Sequence, residues 1–202
     1  MNAAAVIQQL KDEEARHIGA MRLLWLALDQ VVVQPGMSLV PYRSQWDGDA
    51  AKVIPDCGPT CLGMLLAWRG VILPIDTLSD DCGMGPNKRY TTDVDLKWAA
   101  LGRGLSLATV RGYSAASFVL HAPSIALVHY GSLPRMDEKY TGGHWVVVVG
   151  GDDKQVIYHD PDWSGARRDE GANRAVAIEA FDKALADCAI DGNSAGYGLI
   201  AL

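Results

Sequence analysis

GGHWVVVVGGDDKQVIYHDPDW, residues 142–163, is the stretch on which the reading of this chain turns. Two runs rich in β-branched and aromatic residues, His144 to Val149 and Gln155 to Asp160, flank a cluster of glycine and aspartate. That is the composition of two strands joined by a hairpin turn. Both runs are apolar on both faces, so they are expected in the middle of a sheet. A three-residue loop of Gly151, Asp152 and Asp153 sets a register. It puts His144 opposite Asp160, Val146 opposite Tyr158, Val147 opposite Ile157 and Val148 opposite Val156. Directly opposed residues project from one face, with Cβ atoms about 4.5–5.5 Å apart. An imidazole and a carboxylate would then meet at the open end of the hairpin. There the carboxylate fixes the imidazole tautomer and supports its protonated form. A slip of one residue separates them, because every side chain changes face; a slip of two makes Asp162 the partner instead. A core histidine satisfied by one hydrogen bond is the plainer reading of His144 taken alone.

The second informative stretch is DCGPTCLGMLLAWRG, residues 56–70. A helix is expected from Cys57 to about Arg69, with Asp56 able to cap it, Pro59 tolerated in its first turn and Gly70 suited to its end. Cys61, Leu62, Met64, Leu65, Leu66 and Trp68 make it apolar nearly all round, so it is a buried helix around which the domain is built. A thiol at its first residue feels the helix dipole and free backbone N–H groups, which stabilise the thiolate, the nucleophilic form. Cys57 is therefore a candidate nucleophile, and Cys61, one turn deeper, a structural thiol. Gln45, in PYRSQWDGD, precedes Cys57 by twelve residues. Its side chain and the Cys57 N–H are of the right type to hold the negative oxygen of an acyl-transfer intermediate, although a loop glutamine by itself carries no signal.

Outward from these, a short strand is expected near residues 38–40, and residues 71–90 read as loop. Helices are expected from Thr92 to about Leu101, with Thr91 or Thr92 at the cap, and from Ser114 to Leu120. Strands are expected over Ser124–Tyr130, Val176–Ile178 and the final GYGLIAL, with a helix from Glu179 to about Ala186. Helices come first and strands later, an α+β pattern. His17, His121, His129 and His159 read as structural or solvent-exposed, with His159 facing away from His144.

Residues 1–30 read as one amphipathic helix, with Ile7, Leu10, Ile18, Met21, Trp25 and Leu28 at helical spacing. The expected organisation is an N-terminal helical arm over 1–35 and one larger domain over 36–202. The arm either packs on its own domain or docks a protein partner or a second copy of the chain. The 202 residues carry a formal net charge of -6, which disfavours nucleic acid or an anionic membrane as a partner. The apolar run Ala20–Leu28 is interrupted by Arg22 and is too short for a membrane span. No secretory signal is recognisable, so a cytoplasmic location is the default, with a phage particle or a dedicated export route as alternatives. The cysteines Cys57, Cys61, Cys82 and Cys188 are too few for a disulfide scaffold. Cys57 and Cys61 lack the second pair that a structural zinc site requires. Neither a metal nor an organic cofactor is expected.

Taken together, SQWD at Gln45, DCGPTCLGMLLAWRG at Cys57, GGHWVVVVG at His144 and HDPDW at Asp160 resemble, in this order, the bacteriocin-processing type of papain-like cysteine peptidase. PSIALVHYGS before the histidine strand and IEAFDKAL after Asp160 fit the same pattern, and the resemblance spans about residues 38–190. It implies a papain-like α+β fold, with a helical part carrying the cysteine packed on an antiparallel sheet carrying the histidine. It implies Cys57 as nucleophile, His144 as general base and then acid, Asp160 as the residue orienting His144, and Gln45 with the Cys57 N–H as oxyanion hole. The substrate would be a peptide or protein, cut after a Gly-Gly pair in the best-known members. The chain reads as a free-standing member, since those relatives are often fused to a membrane transporter. Two other readings stay open: a hydrolase of peptidoglycan stem peptides, and a non-catalytic binding module on a peptidase fold.

Overall fold

The computed structural model describes residues 39–47, 57–85, 87–88, 90–134, 142–188 and 195–202. The expected N-terminal helix, the 35/36 boundary, the Asp56 cap, His17 and residue 38 lie outside these. Residues 39 and 40 form no strand.

The buried helix begins where expected: α1 spans Cys57–Trp68, and Gly58 through Leu66 are all buried. Residues 71–90 depart from the loop reading, because a short helix, α2, runs Ile75–Asp81. Only Ile75 and Leu78 anchor its apolar side, too few positions to establish a helical period. It forms because Gly63 of α1 leaves room for Leu78, which a Cβ there would meet at 2.9 Å. Helix α3 spans Asp93–Gly102, and its cap is Thr92 in a capping box with Asp95: two orphan backbone donors are satisfied reciprocally. Strand β1, Leu107–Val110, was not expected from the sequence. Helix α4 follows at Ala115–Leu120 with Ser114 capping it, then β2 at Ser124–His129 and a 3-10 turn at Tyr130–Ser132.

The hairpin consists of β3, Gly143–Gly151, and β4, Gln155–His159. Strand β5, Arg174–Ala177, helix α5, Ile178–Asp187, and strand β6, Gly198–Ala201, complete the fold. The six strands form one antiparallel sheet in the order β1-β6-β2-β3-β4-β5. The two hairpin strands are therefore interior, as their two apolar faces require. Helices and strands interleave along the chain rather than separating into halves.

Alternation along β3 divides the core in two. Trp145, Val147 and Val149 join α1, α2 and α3 on one face of the sheet. Val146 and Val148 join Phe118 of α4 and Phe181 and Leu185 of α5 on the other. The result is a three-layer α+β domain with the helix that carries Cys57 against one side of the sheet that carries His144. Among the described residues no helix is long and apolar enough to cross a membrane.

Candidate active site

The hairpin register differs from the expected one by two residues. Val148 pairs with Tyr158 and Val147 with His159, where the three-residue turn would give Val156 and Ile157. Two local features produce the shift. The Asp152 carboxylate accepts hydrogen bonds from the Lys154 and Gln155 N–H groups, and the Asp152 N–H donates to the Gln155 carbonyl, so the turn is centred between Asp153 and Lys154, further along the chain than Asp152. The pairing then shifts again between Val148 and Gly150, a β-bulge that inserts one residue on β3. Continuing this register would place position 162, not 160, opposite His144.

The side chain that meets His144 is nevertheless Asp160. His144 Nε2 lies 2.8 Å from Asp160 Oδ1. A shift of two preserves the face on which every residue projects, and diagonal neighbours in an antiparallel pair lie within reach of a long side chain. Strand β4 also ends at His159, which frees Asp160 to turn toward the imidazole. Asp160 is 1% and His144 2% exposed, so the pair is screened little by water.

Both carboxylate oxygens of Asp160 accept hydrogen bonds. Oδ1 also accepts from the Asp162 backbone N–H at 3.0 Å, and Oδ2 accepts from the Trp163 indole N–H at 2.9 Å. Burial opposes ionisation, but the His144 charge and these donors hold the Asp160 carboxyl below the usual carboxylate range. For His144, burial pulls downward; the charge and hydrogen bond of Asp160, then the hydrogen bond and charge of Cys57, outweigh it and push it up to about 10. Since Nε2 is engaged by Asp160, Nδ1 is the ring nitrogen left to face the Cys57 sulfur. The Tyr130 ring lies against the imidazole, with centroids 4.2 Å apart.

Cys57 and His144 are brought together by their sequence neighbours. Gly58 packs where a Cβ would collide with the Thr91 hydroxyl and crowd the Trp145 indole. The Cys61 thiol donates to the Trp145 carbonyl at 3.3 Å, and the Trp145 indole donates to the Thr91 carbonyl at 3.2 Å. The first turn of α1 is thus pinned to the start of β3. Burial pushes the Cys61 thiol well up, which suits an inert structural cysteine.

Residues 39–47 are fastened to the chain that follows β4. His159 Nε2–H donates to the Val40 carbonyl, the Tyr42 hydroxyl to the Asp160 carbonyl, the Ser44 hydroxyl to the Pro161 carbonyl and the Gln45 N–H to the Pro161 carbonyl. Asp47 takes a two-pronged ion pair from Arg168. Within this seam Gln45 Nε2 donates to Asp162 Oδ1 at 2.8 Å, and the Trp46 indole donates to the same oxygen at 2.9 Å. Asp162, the other candidate partner of His144, therefore bonds to Gln45. Burial, reinforced by Asp160, pushes its carboxyl up against the opposing effects of His144, Trp46 and Tyr130.

His159 is buried and neutral: its Nδ1 accepts from the Asn173 N–H, and burial lowers it to about 4. His121 bonds the Ser117 carbonyl and His129 the Ser132 hydroxyl, neither of them part of this cluster's hydrogen bonds. Trp163 and Tyr130 were not singled out by the sequence. A buried indole N–H needs an acceptor, which was the available signal for Trp163; Tyr130 gave none. Among the described residues no group of three or more His, Cys, Asp or Glu side chains could hold a metal ion.

A cysteine at the start of a buried helix, set against a strand-borne His–Asp pair in this α+β architecture, defines a papain-like cysteine peptidase. The sequence profile of the Peptidase C39 family matches residues 52–184, and the chain belongs to that family. Solved structures agree on the fold. A double glycine motif protease from an AMS/PCAT transporter, in complex with a leader peptide, is 21% identical with a TM-score of 0.54, covering 84% of this chain and 95% of its own. The peptidase domain of Streptococcus ComA, a bi-functional ABC transporter of a quorum sensing pathway, is 20% identical with a TM-score of 0.52, covering 73% and 90%. A protein from Bacillus anthracis described as a C39-like peptidase is 17% identical with a TM-score of 0.55, covering 82% and 95%. A search of curated protein sequences finds no match.

Proposed function

We propose that this peptidase hydrolyses a peptide bond through Cys57, His144, Asp160 and Gln45, with a Gly-Gly-type site as the preferred target. The observation that carries the assignment is the buried His144–Asp160 pair in contact with Cys57. Cys57 and His144 act as a thiolate–imidazolium pair. In acylation the thiolate attacks the scissile carbonyl carbon. The resulting oxyanion is met by the Gln45 amide and the Cys57 N–H. The tetrahedral intermediate collapses as the leaving amine takes the proton from His144. His144 then removes a proton from water, which attacks the thioester and returns the sulfur as thiolate and the product as carboxylic acid. Asp160 keeps the imidazole in one tautomer and orientation throughout. The leader-peptide complex of the double glycine motif protease supports a peptide substrate and makes Gly-Gly the first sequence to try.

Limiting iodoacetamide followed by peptide mass mapping tests the assignment. Labelling is expected at Cys57 ahead of Cys61, Cys82 and Cys188, and slowed in His144→Ala. Indiscriminate labelling, or a Cys57 rate indifferent to His144→Ala, would remove the nucleophile assignment.

A further inference from the structure

Gln45 poses a problem of orientation. A carboxamide can sit in its site either way round, and only one way presents N–H to a developing oxyanion. The backbone of Gln45 is fixed by its N–H bond to the Pro161 carbonyl at 2.9 Å, but that bond does not fix the amide. Among the described residues Gln45 Oε1 has no hydrogen-bond partner although it is buried. The amide is held at its nitrogen, by Asp162 Oδ1 at 2.8 Å. The same oxygen accepts from the Trp46 indole, which can only donate, so Asp162 Oδ1 presents an acceptor to the amide, taking its –NH2 end and rejecting its oxygen end. The –NH2 group has two hydrogens; one goes to Asp162 and the other is left to donate elsewhere. Asp162 is itself held in place. Its Oδ1 also accepts from the Trp46 indole at 2.9 Å, its side chain bonds to that of Tyr130, and its own N–H is tied to Asp160 Oδ1 at 3.0 Å. The carboxylate that orients His144 and the carboxylate that holds Gln45 thus sit two residues apart on one anchored segment.

We infer that Asp162 is a positioning residue for the oxyanion hole, acting on the reaction through the amide of Gln45 rather than through His144. This rests on the proposed role of Gln45. It predicts that Asp162 and Gln45 are coupled: once Gln45 is gone, Asp162 has nothing left to position.

The experiment is a double-mutant cycle on hydrolysis of an N-blocked glycine p-nitrophenyl ester, with iodoacetamide alkylation of Cys57 measured on the same proteins. Alkylation at a saturated carbon forms no oxyanion, so it reads the Cys57–His144 pair alone. Gln45→Ala is expected to lower kcat by roughly 10²-fold. Asp162→Leu should lower kcat by roughly 10-fold or more with a small change in KM, while changing the alkylation rate far less than the ester rate. In the Gln45→Ala background Asp162→Leu should cost less than about 3-fold, the non-additivity of two groups acting as one. Asp162→Asn, whose amide oxygen still accepts from Gln45 Nε2, should restore most of the rate lost in Asp162→Leu. Equal losses in both backgrounds, an alkylation rate that falls with ester hydrolysis, or an Asp162→Leu enzyme as fast as wild type would overturn the positioning role. A Gln45→Ala enzyme of undiminished kcat, or a wild-type protein that alkylates at Cys57 yet turns over no ester, would instead overturn the oxyanion reading on which it rests.

Discussion

Asp160→Asn separates charge from shape at the centre of the site. The substitution keeps the outline of the side chain but replaces one acceptor oxygen by a donor group. In the native structure Oδ1 serves His144 and the Asp162 N–H, while Oδ2 serves the Trp163 indole. Whichever way the asparagine amide turns, its –NH2 faces a donor. His144 stands at about 10 against an ordinary value near 6.5. At about 1.36 kcal/mol per pH unit this is about 5 kcal/mol of preference for the imidazolium, of which Cys57 supplies a part. Removing one member of a buried pair costs about 3–5 kcal/mol. For a domain of this size that is a Tm lower by about 6–20 °C.

The pH dependence identifies the cause. A histidine whose proton is held more tightly in the folded state contributes its full stabilisation below its ordinary value near 6.5 and loses it as pH rises toward about 10. Asp160, held below the carboxylate range, keeps its contribution until pH falls through that lowered value. The gap in Tm between wild type and Asp160→Asn should therefore be widest in the mildly acidic range and narrow steadily between about pH 6.5 and 10. Thermal unfolding followed by circular dichroism across that range measures it. A gap as wide at pH 10.5 as at pH 6 would mean that the mismatched hydrogen bond alone costs the stability, and the charge pairing would be refuted.

Gly58→Ala should destabilise the domain by about 1–3 kcal/mol, because its Cβ meets Thr91 and Trp145; a Tm within a degree of wild type would show that the first turn of α1 is not packed there. His159 is buried and lowered to about 4, so wild type should lose up to about 3 kcal/mol as pH falls from 6.5 toward 4. His159→Gln should lack that slope in urea titrations, and an identical slope would place the acid sensitivity elsewhere. Cys61→Ala should cost about 1–2 kcal/mol of stability, from its buried contact with the Trp145 carbonyl, and leave the alkylation rate of Cys57 unchanged; a slowed rate would show that Cys61 takes part in the site.

The core of the fold was legible where hydrophobic pattern and turn chemistry agree. Helix α1 is apolar all round because α2, α3 and the sheet close on it, and β3 and β4 are apolar on both faces because helices cover both faces of the sheet. The starts of α3 and α4 were readable to within a residue, Thr92 being one of two cap candidates and Ser114, the first residue expected in its helix, being its cap, because an N-terminal cap is a local bond between residues a few positions apart. Helix α2 and strand β1 escaped for the opposite reason. Each is short, and each is stabilised by what it packs or pairs with: Leu78 against the gap at Gly63, and Leu107–Val110 against β6 at the far end of the chain. Nothing local in ILPIDTLSDD or LSLATV states those partners.

The site shows the same division in sharper form. The face of the hairpin was readable and its register was not, because a period of two fixes which residues share a face but not which residue stands opposite which. The Asx-type turn at Asp152 and the bulge after Val148 moved the pairing by two, and a displacement by two leaves the alternation of side chains unchanged. His144 and Asp160 met despite the wrong register because their meeting depends on parity and on a strand that ends one residue early. A pair that required direct opposition would not have survived the same error. Gln45 and Asp162 have no such protection. They lie 117 positions apart, in two loops whose alignment is set by the bonds of Val40, Tyr42 and Ser44 to residues 159–161. A contact of this kind follows from the closing of the seam rather than from any period in the sequence. For that reason the second aspartate of HDPDW could be weighed from sequence only as a substitute for the first, while the structure gives it a hydrogen-bond partner of its own.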